Sequence, residues 1–283
     1  MAKDAMITKI SPYLRLESEG VYSFPCLSDS FLQMFNEELH NFYGTSEKYN
    51  IPVRRPNSMN NYGVIVNEIG MMPMITSFQQ TYLWPIARRL FPDQGSHFDD
   101  HHSFIVRYQA GEDLGLDMHT DDSDVTFNVC LGDANFTGAT LVFCGMFGQP
   151  QHRLQTHVYH HQVGRAVLHL GSRRHGAEDI ESGARVNLIV WSHNHQYRSS
   201  EEYQTMRQQD VYEKEERAPD PVCLSFTHDR DYTKYKEIPE SKKDMHFHPW
   251  CPPRGKEYDG YYEEKTKSIQ SQDECQTPGR QVH

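Results

Sequence analysis

His119-Thr120-Asp121 sets an imidazole and a carboxylate two positions apart. On an extended strand, residues i and i+2 point to the same face, so both side chains can reach one ion. A third ligand has to come from elsewhere in the chain. His175 follows a predicted strand at 164–170 and a turn at 171–174. Two histidines and one carboxylate are the facial donor set of non-haem Fe(II) centres, which leaves three adjacent positions open. A zinc hydrolase uses the same ligand types with fewer open positions. The competing reading is a solvated acidic loop, since Asp117, Asp122 and Asp124 surround the pair. Ten residues after His175, Arg185 opens the apolar run 186–191 and shares a strand face with Asn187 and Ile189. If that face lines a barrel interior, the guanidinium is buried and needs an anion. The distal carboxylate of a dicarboxylate would satisfy it with two parallel hydrogen bonds. On an edge strand the same arginine would lie in solvent.

Such a constellation needs rigid elements to hold it. Segments 103–109, 125–131, 139–144, 156–160, 164–170 and 185–192 are short, rich in Val, Ile, Phe, Tyr and Thr, and bounded by Gly, Asp and Asn. Six strands at this spacing predict a barrel or a double-sheet jelly roll. Helices flank them. Leu32, Phe35, Leu39 and Phe42 repeat at helical spacing after a Ser28 or Ser30 cap, with Gly44 as the expected end. Ile75, Phe78, Tyr82 and Ile86 form a second stripe, with Pro73 near its start and Pro85 expected to kink or divide it. One strand is expected at 62–67, and a helix at 200–210 behind a Ser199-x-x-Glu202 capping box. The fold class is therefore mainly β with flanking α-helices. Three regions follow: 1–98 as N-terminal helical support, 99–212 as the β core, and 213–283 as a Pro-rich polar extension, partly disordered.

Composition narrows the partners. The chain of 283 residues carries 28 Lys+Arg against 39 Asp+Glu, a net charge of −11, which argues against a broad grip on nucleic acid or an anionic membrane. The N-terminus lacks an apolar signal region and no segment reads as a membrane span, so a soluble cytoplasmic or nuclear protein is expected. The six cysteines form no CxxC pair and read as free thiols. Of the 17 histidines, the neighbours His101-His102 and His160-His161 read as solvent-facing or hydrogen-bonded, and His157 and His169 as polar residues within strands. His246, His248 and Cys251, with Cys223 or His228, are a zinc alternative whose spacing fits no standard finger. Packing of the aromatic segment 246–250 against the core is the other reading.

The motifs occur in a characteristic order: SFIVRYQAGEDL at 103–114, HTD at 119–121, VTFNVCLG at 125–132, FTGATLVF at 136–143, GRAVLHLG at 164–171, HGA at 175–177 and GARVNLIVW at 183–191. This series resembles the 2-oxoglutarate- and Fe(II)-dependent dioxygenases of the prolyl 4-hydroxylase type. Within that group it is most similar to the oxygenase domain-containing protein 2 branch and to plant relatives of the PKHD-type hydroxylases. The resemblance covers about 103–192, the flanks more loosely. It implies a double-stranded β-helix core, Fe(II) held by His119, Asp121 and His175, and Arg185 paired with the C5 carboxylate of 2-oxoglutarate. It further implies Tyr108 in the co-substrate pocket, with Asn128 or Thr126 as further contacts. O2 is the second co-substrate, and ascorbate a further candidate. The chain departs from the family pattern at Gln109-Ala110-Gly111, where Pro-Gly is common after the tyrosine. It departs again at Gly138-Ala139, where Gly-Gly is common. A methyl at 139 matters only if that position needs positive φ or close backbone approach.

The resemblance implies hydroxylation of a C–H bond, with release of succinate and CO2, on a protein prolyl or lysyl side chain. Two other classes stay open: the same chemistry on a small molecule, and a catalytically silent binding protein. The sequence sets no oligomeric state.

Overall fold

The computed structural model describes residues 10–132, 135–145 and 155–208. In chain order the elements are β1 (Arg15–Ser18), β2 (Val21–Pro25), α1 (Asp29–Lys48), β3 (Gly63–Ile65), α2 (Met72–Phe78), α3 (Trp84–Leu90), β4 (Asp100–Gln109), β5 (Leu116–His119), β6 (Val125–Cys130), β7 (Thr137–Gly138), β8 (Leu141–Cys144), β9 (Thr156–Tyr159), β10 (Arg165–Leu170), β11 (His175–Ala177), β12 (Ile180–Ser182), β13 (Ala184–His193), α4 (His195–Arg198) and α5 (Glu201–Gln208).

The strands form two principal sheets. The larger runs β1-β2-β10-β6-β13-β4-β3 and the smaller β5-β11-β8-β9. Followed along the chain, β4, β6, β10 and β13 lie in the larger sheet, while β5, β8, β9 and β11 lie in the smaller. The chain thus weaves between sheets in a jelly roll, the double-stranded β-helix expected from the sequence. The inner strands are buried on both faces: all six residues of β6 are buried, with Val125, Phe127 and Val129 alternating with Thr126, Asn128 and Cys130.

Two packing layers follow from strand alternation. On the outer face of the larger sheet, Ile105, Phe127, Val129, Leu168, Leu188 and Val190 pack against Leu32, Phe35 and Leu39 of α1 and against Ile75, Leu83 and Ile86 of the second helical segment. On the inner face, Phe104, Val106, Tyr108 and Ile189 meet Ala139, Ala177 and Ile180. The helices therefore bury the back of the sheet and leave its front for a cavity.

The helix boundaries differ from expectation for local reasons. Ser28 caps α1, its side chain accepting from the Phe31 amide at 3.3 Å. The helix does not stop at Gly44; it runs on until Asn50 takes a left-handed φ of 52° and the Ile51 amide closes back on the Ser46 carbonyl at 2.8 Å. The second stripe divides before Pro85 rather than at it. A π-type turn at Gln79–Leu83 widens the helix, advances its phase and leaves Pro85 in the first turn of α3, where no amide is required. As a result Leu83 is buried while Tyr82 of the expected stripe is half exposed. Gln79 fills the turn, donating to Ser103 Oγ at 3.2 Å and accepting from the Trp84 indole at 3.1 Å.

Strands β1 and β2, in a stretch with little sequence pattern, extend the larger sheet; β2 pairs with β10 from Pro25↔Arg165 to Val21↔His169. Among the cysteines described, Cys26 and Cys130 are free and Cys144 is disulfide-bonded, so the expectation of free thiols fails at Cys144. Among the described residues no helix is long and apolar enough to cross a membrane. The region 213–283, with its zinc alternative, lies outside the described residues.

Ala139 turns out to need the conformation that makes the Gly-Gly departure matter. Its φ is +50°, and it is fully buried in the inner layer. The left-handed conformation costs a non-glycine residue about 1–2 kcal/mol. Its buried methyl returns about 0.8 kcal/mol, and glycine would add chain entropy to the unfolded state. Ala139→Gly should therefore shift stability by less than about 1 kcal/mol, although the site is buried. Ala139→Val adds a β-branched side chain at positive φ and should cost at least about 3 kcal/mol. Denaturant unfolding of both variants checks this; equal losses would refute the strained backbone.

Candidate active site

Adjacent strands bring the two histidines together. In the β5–β11 pair His175 lies opposite His119, with ring centroids 4.4 Å apart. His119 ends β5, so Asp121 does not sit on an extended strand beside it. The chain turns, the Asp121 amide donates to the Gly171 carbonyl at 2.9 Å, and the carboxylate comes back to face both imidazoles. Asp121 Oδ1 is 3.4 Å from His119 Nε2, and Oδ2 is 3.6 Å from His175 Nε2. The three donor atoms lie within 4.8 Å of one another and fit a single ion.

Neighbouring groups orient these donors. His175 donates from Nδ1 to the Arg173 carbonyl at 2.8 Å, which leaves the Nε2 lone pair for the ion. Asp121 Oδ2 accepts from Thr126 Oγ1 at 2.6 Å, and Thr126 is backed by Ser123 at 2.7 Å. Burial pushes the His175 imidazole down to about 3, against the pull of Asp121. Burial works to raise Asp121, but His175 and the hydrogen bond and charge of His119 outweigh it and hold the carboxyl well below its usual range. At neutral pH the site thus presents a neutral imidazole and an ionised carboxylate, the protonation state a divalent cation requires.

The turn that carries Asp121 is clamped from a distance. Arg198 of α4 contacts both oxygens of Asp124 at 3.0 Å and Asp122 Oδ1 at 3.0 Å, and the Asn194 amide donates to Asp124 Oδ2 at 2.6 Å. Gly171 closes the other side: a Cβ there would lie 2.0 Å from the Ser123 carbonyl oxygen. Neither Arg198 nor Gly171 is marked in the sequence as a site residue, because each acts on ligands 50 or more positions away.

The opposite wall is the front of the larger sheet. Arg185 is 1% exposed and pairs across β13–β4 with Tyr108, whose ring face lies 4.5 Å from the guanidinium carbon. Its Nε and Nη1 are buried and have no hydrogen-bond partner among the described residues. Burial lowers its pKa, against favourable contacts with Tyr108 and Cys130. A cavity lies between the walls, and His119, Asp121, His175, Arg185, Tyr108, Asn128 and Thr126 all line it. The structure therefore brings every sequence-predicted site residue to one place, though Thr126 is turned to Asp121. The segment before β3 completes the wall. Asn60 donates to the Tyr108 hydroxyl at 3.1 Å, and buried Asp113 accepts from the amides of Asn61 at 2.8 Å and Tyr62 at 3.2 Å.

The donor set fits Fe(II): two imidazoles and one carboxylate on one side of the ion position, with open cavity on the other. The orphaned guanidinium fits the far carboxylate of a dicarboxylate. Arg198→Ala should leave the fold in place and weaken Mn(II) or Fe(II) binding about 10–100-fold, since it frees two carboxylates and the turn bearing Asp121. Metal titration of the variant, with its melting temperature as control, checks this; unchanged affinity would show that the turn holds without the clamp.

A family model described as an OGFOD2-like domain matches residues 2–96. Over 177 residues the chain is 40% identical to 2-oxoglutarate and iron-dependent oxygenase domain-containing protein 2 of Mus musculus, covering 62% of this chain and 49% of that protein. It is 36% identical over 187 residues to 2-oxoglutarate and iron-dependent oxygenase domain-containing protein CP2 of Arabidopsis thaliana, covering 64% and 47%. The chain thus spans about half the length of the curated relatives it matches. Among solved structures, a Trichoplax adhaerens prolyl hydroxylase in complex with a hypoxia inducible factor peptide aligns with a TM-score of 0.48 and 14% identity, covering 71% of this chain and 94% of that one. In sequence, the chain is similar to the 2-oxoglutarate and iron-dependent oxygenase domain-containing proteins, and its residues 2–96 match an OGFOD2-like family model.

Proposed function

We propose that this chain is an Fe(II)- and 2-oxoglutarate-dependent dioxygenase that hydroxylates a C–H bond of a protein side chain, prolyl or lysyl, releasing succinate and CO2. The observation that carries this reading is one cavity walled by two unlike sites, the His119–Asp121–His175 donor set and the unpaired cation of Arg185. Residues 99–212 are then the catalytic unit, and 1–98 its support.

Bound at the donor set, Fe(II) supplies the oxidising chemistry with 2-oxoglutarate and O2 as co-substrates, and ascorbate is a candidate reductant. The chain's own work is positioning. His119, Asp121 and His175 would hold the metal from one side. Arg185 would take the C5 carboxylate, with Tyr108 covering its guanidinium and Asn128 on the same wall. Thr126 keeps one Asp121 oxygen occupied, which fixes the direction of the carboxylate. Beyond the donors, Phe104 and Trp191 meet edge to face at 5.0 Å and form an apolar wall beside Met59. That wall excludes water and suits a compact side chain presented from a peptide. The net charge of −11 disfavours nucleic acid as substrate.

His119→Ala, Asp121→Ala and His175→Ala should each abolish Fe(II)-dependent succinate release. Full activity with bound iron in two of the three would overturn the metal assignment. Arg185→Ala should raise the KM for 2-oxoglutarate tenfold or more and affect kcat less, because a buried charge-assisted contact is worth roughly 1.5–3 kcal/mol. A screen of succinate release against proline- and lysine-containing peptides tests the substrate class; stimulation only by small molecules would refute it.

A further inference from the structure

Several buried polar atoms on and beside the inner face of β13 are left unpaired. Arg185 Nε and Nη1, Asn187 Oδ1 and His161 Nε2 are all buried without partners among the described residues. Arg185 and Asn187 share the inner face of β13, and His161 stands beside Asn187, before β10. Together with Asn128 they form a chain of contacts leading to the cavity.

Each link has a direction. Asn187 Nδ2 donates to Asn128 Oδ1 at 2.5 Å. The Asn128 oxygen is thereby turned toward Asn187, and the NH2 end is what this cavity-lining amide has left to offer. An asparagine free to turn could present either end. Asn187 is kept from turning by His161, whose Nδ1 lies 3.4 Å from the same Nδ2 and can only accept there. That places the imidazole proton on Nε2. Burial first, and the nearby Arg185 charge second, hold the His161 pKa well below its ordinary value, so no second cation forms beside the guanidinium.

We propose that His161 and Asn187 are positioning residues that lock the Asn128 carboxamide with its NH2 toward the cavity, so that Asn128 and Arg185 form a donor-only cradle for 2-oxoglutarate. This rests on the co-substrate reading above. Carboxylate and keto oxygens are acceptors only, so a cradle without acceptors binds them, while an Asn128 turned the other way would oppose them with its own oxygen.

The test uses the full chain loaded with Mn(II) and titrated calorimetrically with 2-oxoglutarate. Mn(II) affinity without 2-oxoglutarate and the melting temperature are measured alongside. Asn187→Leu should weaken 2-oxoglutarate binding about tenfold, the worth of one hydrogen bond to a charged group. His161→Phe should weaken it several-fold. His161→Gln, which keeps an acceptor, should stay within about twofold of wild type. Asn128→Asp, which puts an acceptor in the cavity without changing shape, should weaken binding at least tenfold and serves if Asn187→Leu does not fold. Mn(II) affinity should stay level throughout. Wild-type binding with equal affinity in Asn187→Leu and His161→Phe would overturn the lock alone. Parallel loss of Mn(II) and 2-oxoglutarate binding would also overturn it, as a structural effect. Wild-type protein that binds Mn(II) but no 2-oxoglutarate would overturn both the lock and the function it rests on.

Discussion

The buried charge of Arg185 is the constraint around which the interior is arranged. A guanidinium that is 1% exposed has surrendered its hydration, at an effective cost of several kcal/mol. Proteins usually recover that cost with a buried acid. Here the compensation within the chain is the Tyr108 ring face and weak contacts near Cys130. Two N–H groups remain unpaired. The protein is therefore built with a deficit that an anionic ligand would fill, and binding of such a ligand would be linked to stability by mass action. The surrounding residues respect the same constraint. His161 stays neutral, Asn187 donates to Asn128, and the acidic groups that could neutralise Arg185 are placed elsewhere, Asp121 facing the two histidines and Asp113 on the segment before β3.

A barrel with so polar a front must earn its stability at the back. The outer face of the larger sheet supplies it, through Phe127, Val129, Leu168, Leu188 and Val190 packed on α1 and on the split helical segment. Strand alternation makes the arrangement possible. On β13, Val186, Leu188 and Val190 go to the helices, while Arg185, Asn187, Ile189 and Trp191 go to the cavity side. The N-terminal segment is more than a back plate, because Asn57, Met59 and Asn60 line the cavity and Asp113 staples that segment in place. Packing that stabilises the sheet and contacts that shape the site thus come from one continuous stretch of chain.

What the sequence reveals follows the same division. The strands β4, β6, β10 and β13 are rich in β-branched and aromatic residues, so they are legible, and Arg185 stands out as a charge at the start of the run 186–191. The ligand strands β5 and β11 are short and carry histidine, so they lack an apolar signature and His175 reads as a residue after a turn. Helix α1 overran Gly44 because nothing there demands a left-handed backbone, whereas Asn50 adopts one. The π-type turn shifts the helix phase by a residue that no 3.6-residue pattern contains. Arg198 and Gly171 act over 50 or more positions and leave no local mark. Several of the histidines outside the donor set hold polar contacts. His101 bridges Thr76 and Ser103, His102 lies against the Pro56 carbonyl, and His169 packs behind His175 with centroids 4.5 Å apart.

The two halves of the site belong to different sheets, and this bears on which ligand can fill it. The histidines sit on β5 and β11 of the smaller sheet, while Arg185, Tyr108 and Asn128 sit on β13, β4 and β6 of the larger. Asp121 ties the two, its amide held by the Gly171 carbonyl beyond β10 and its carboxylate by Thr126 of β6. On the proposed function, a co-substrate held at one wall and anchored at the other would act as a strut across the barrel. Both attachment points are fixed by sheet hydrogen bonds and by a turn clamped through Arg198. A rigid gap rewards a strut of matching length. On that function, the spacing of the two sheets would help select a ligand with two acidic ends as much as any single contact.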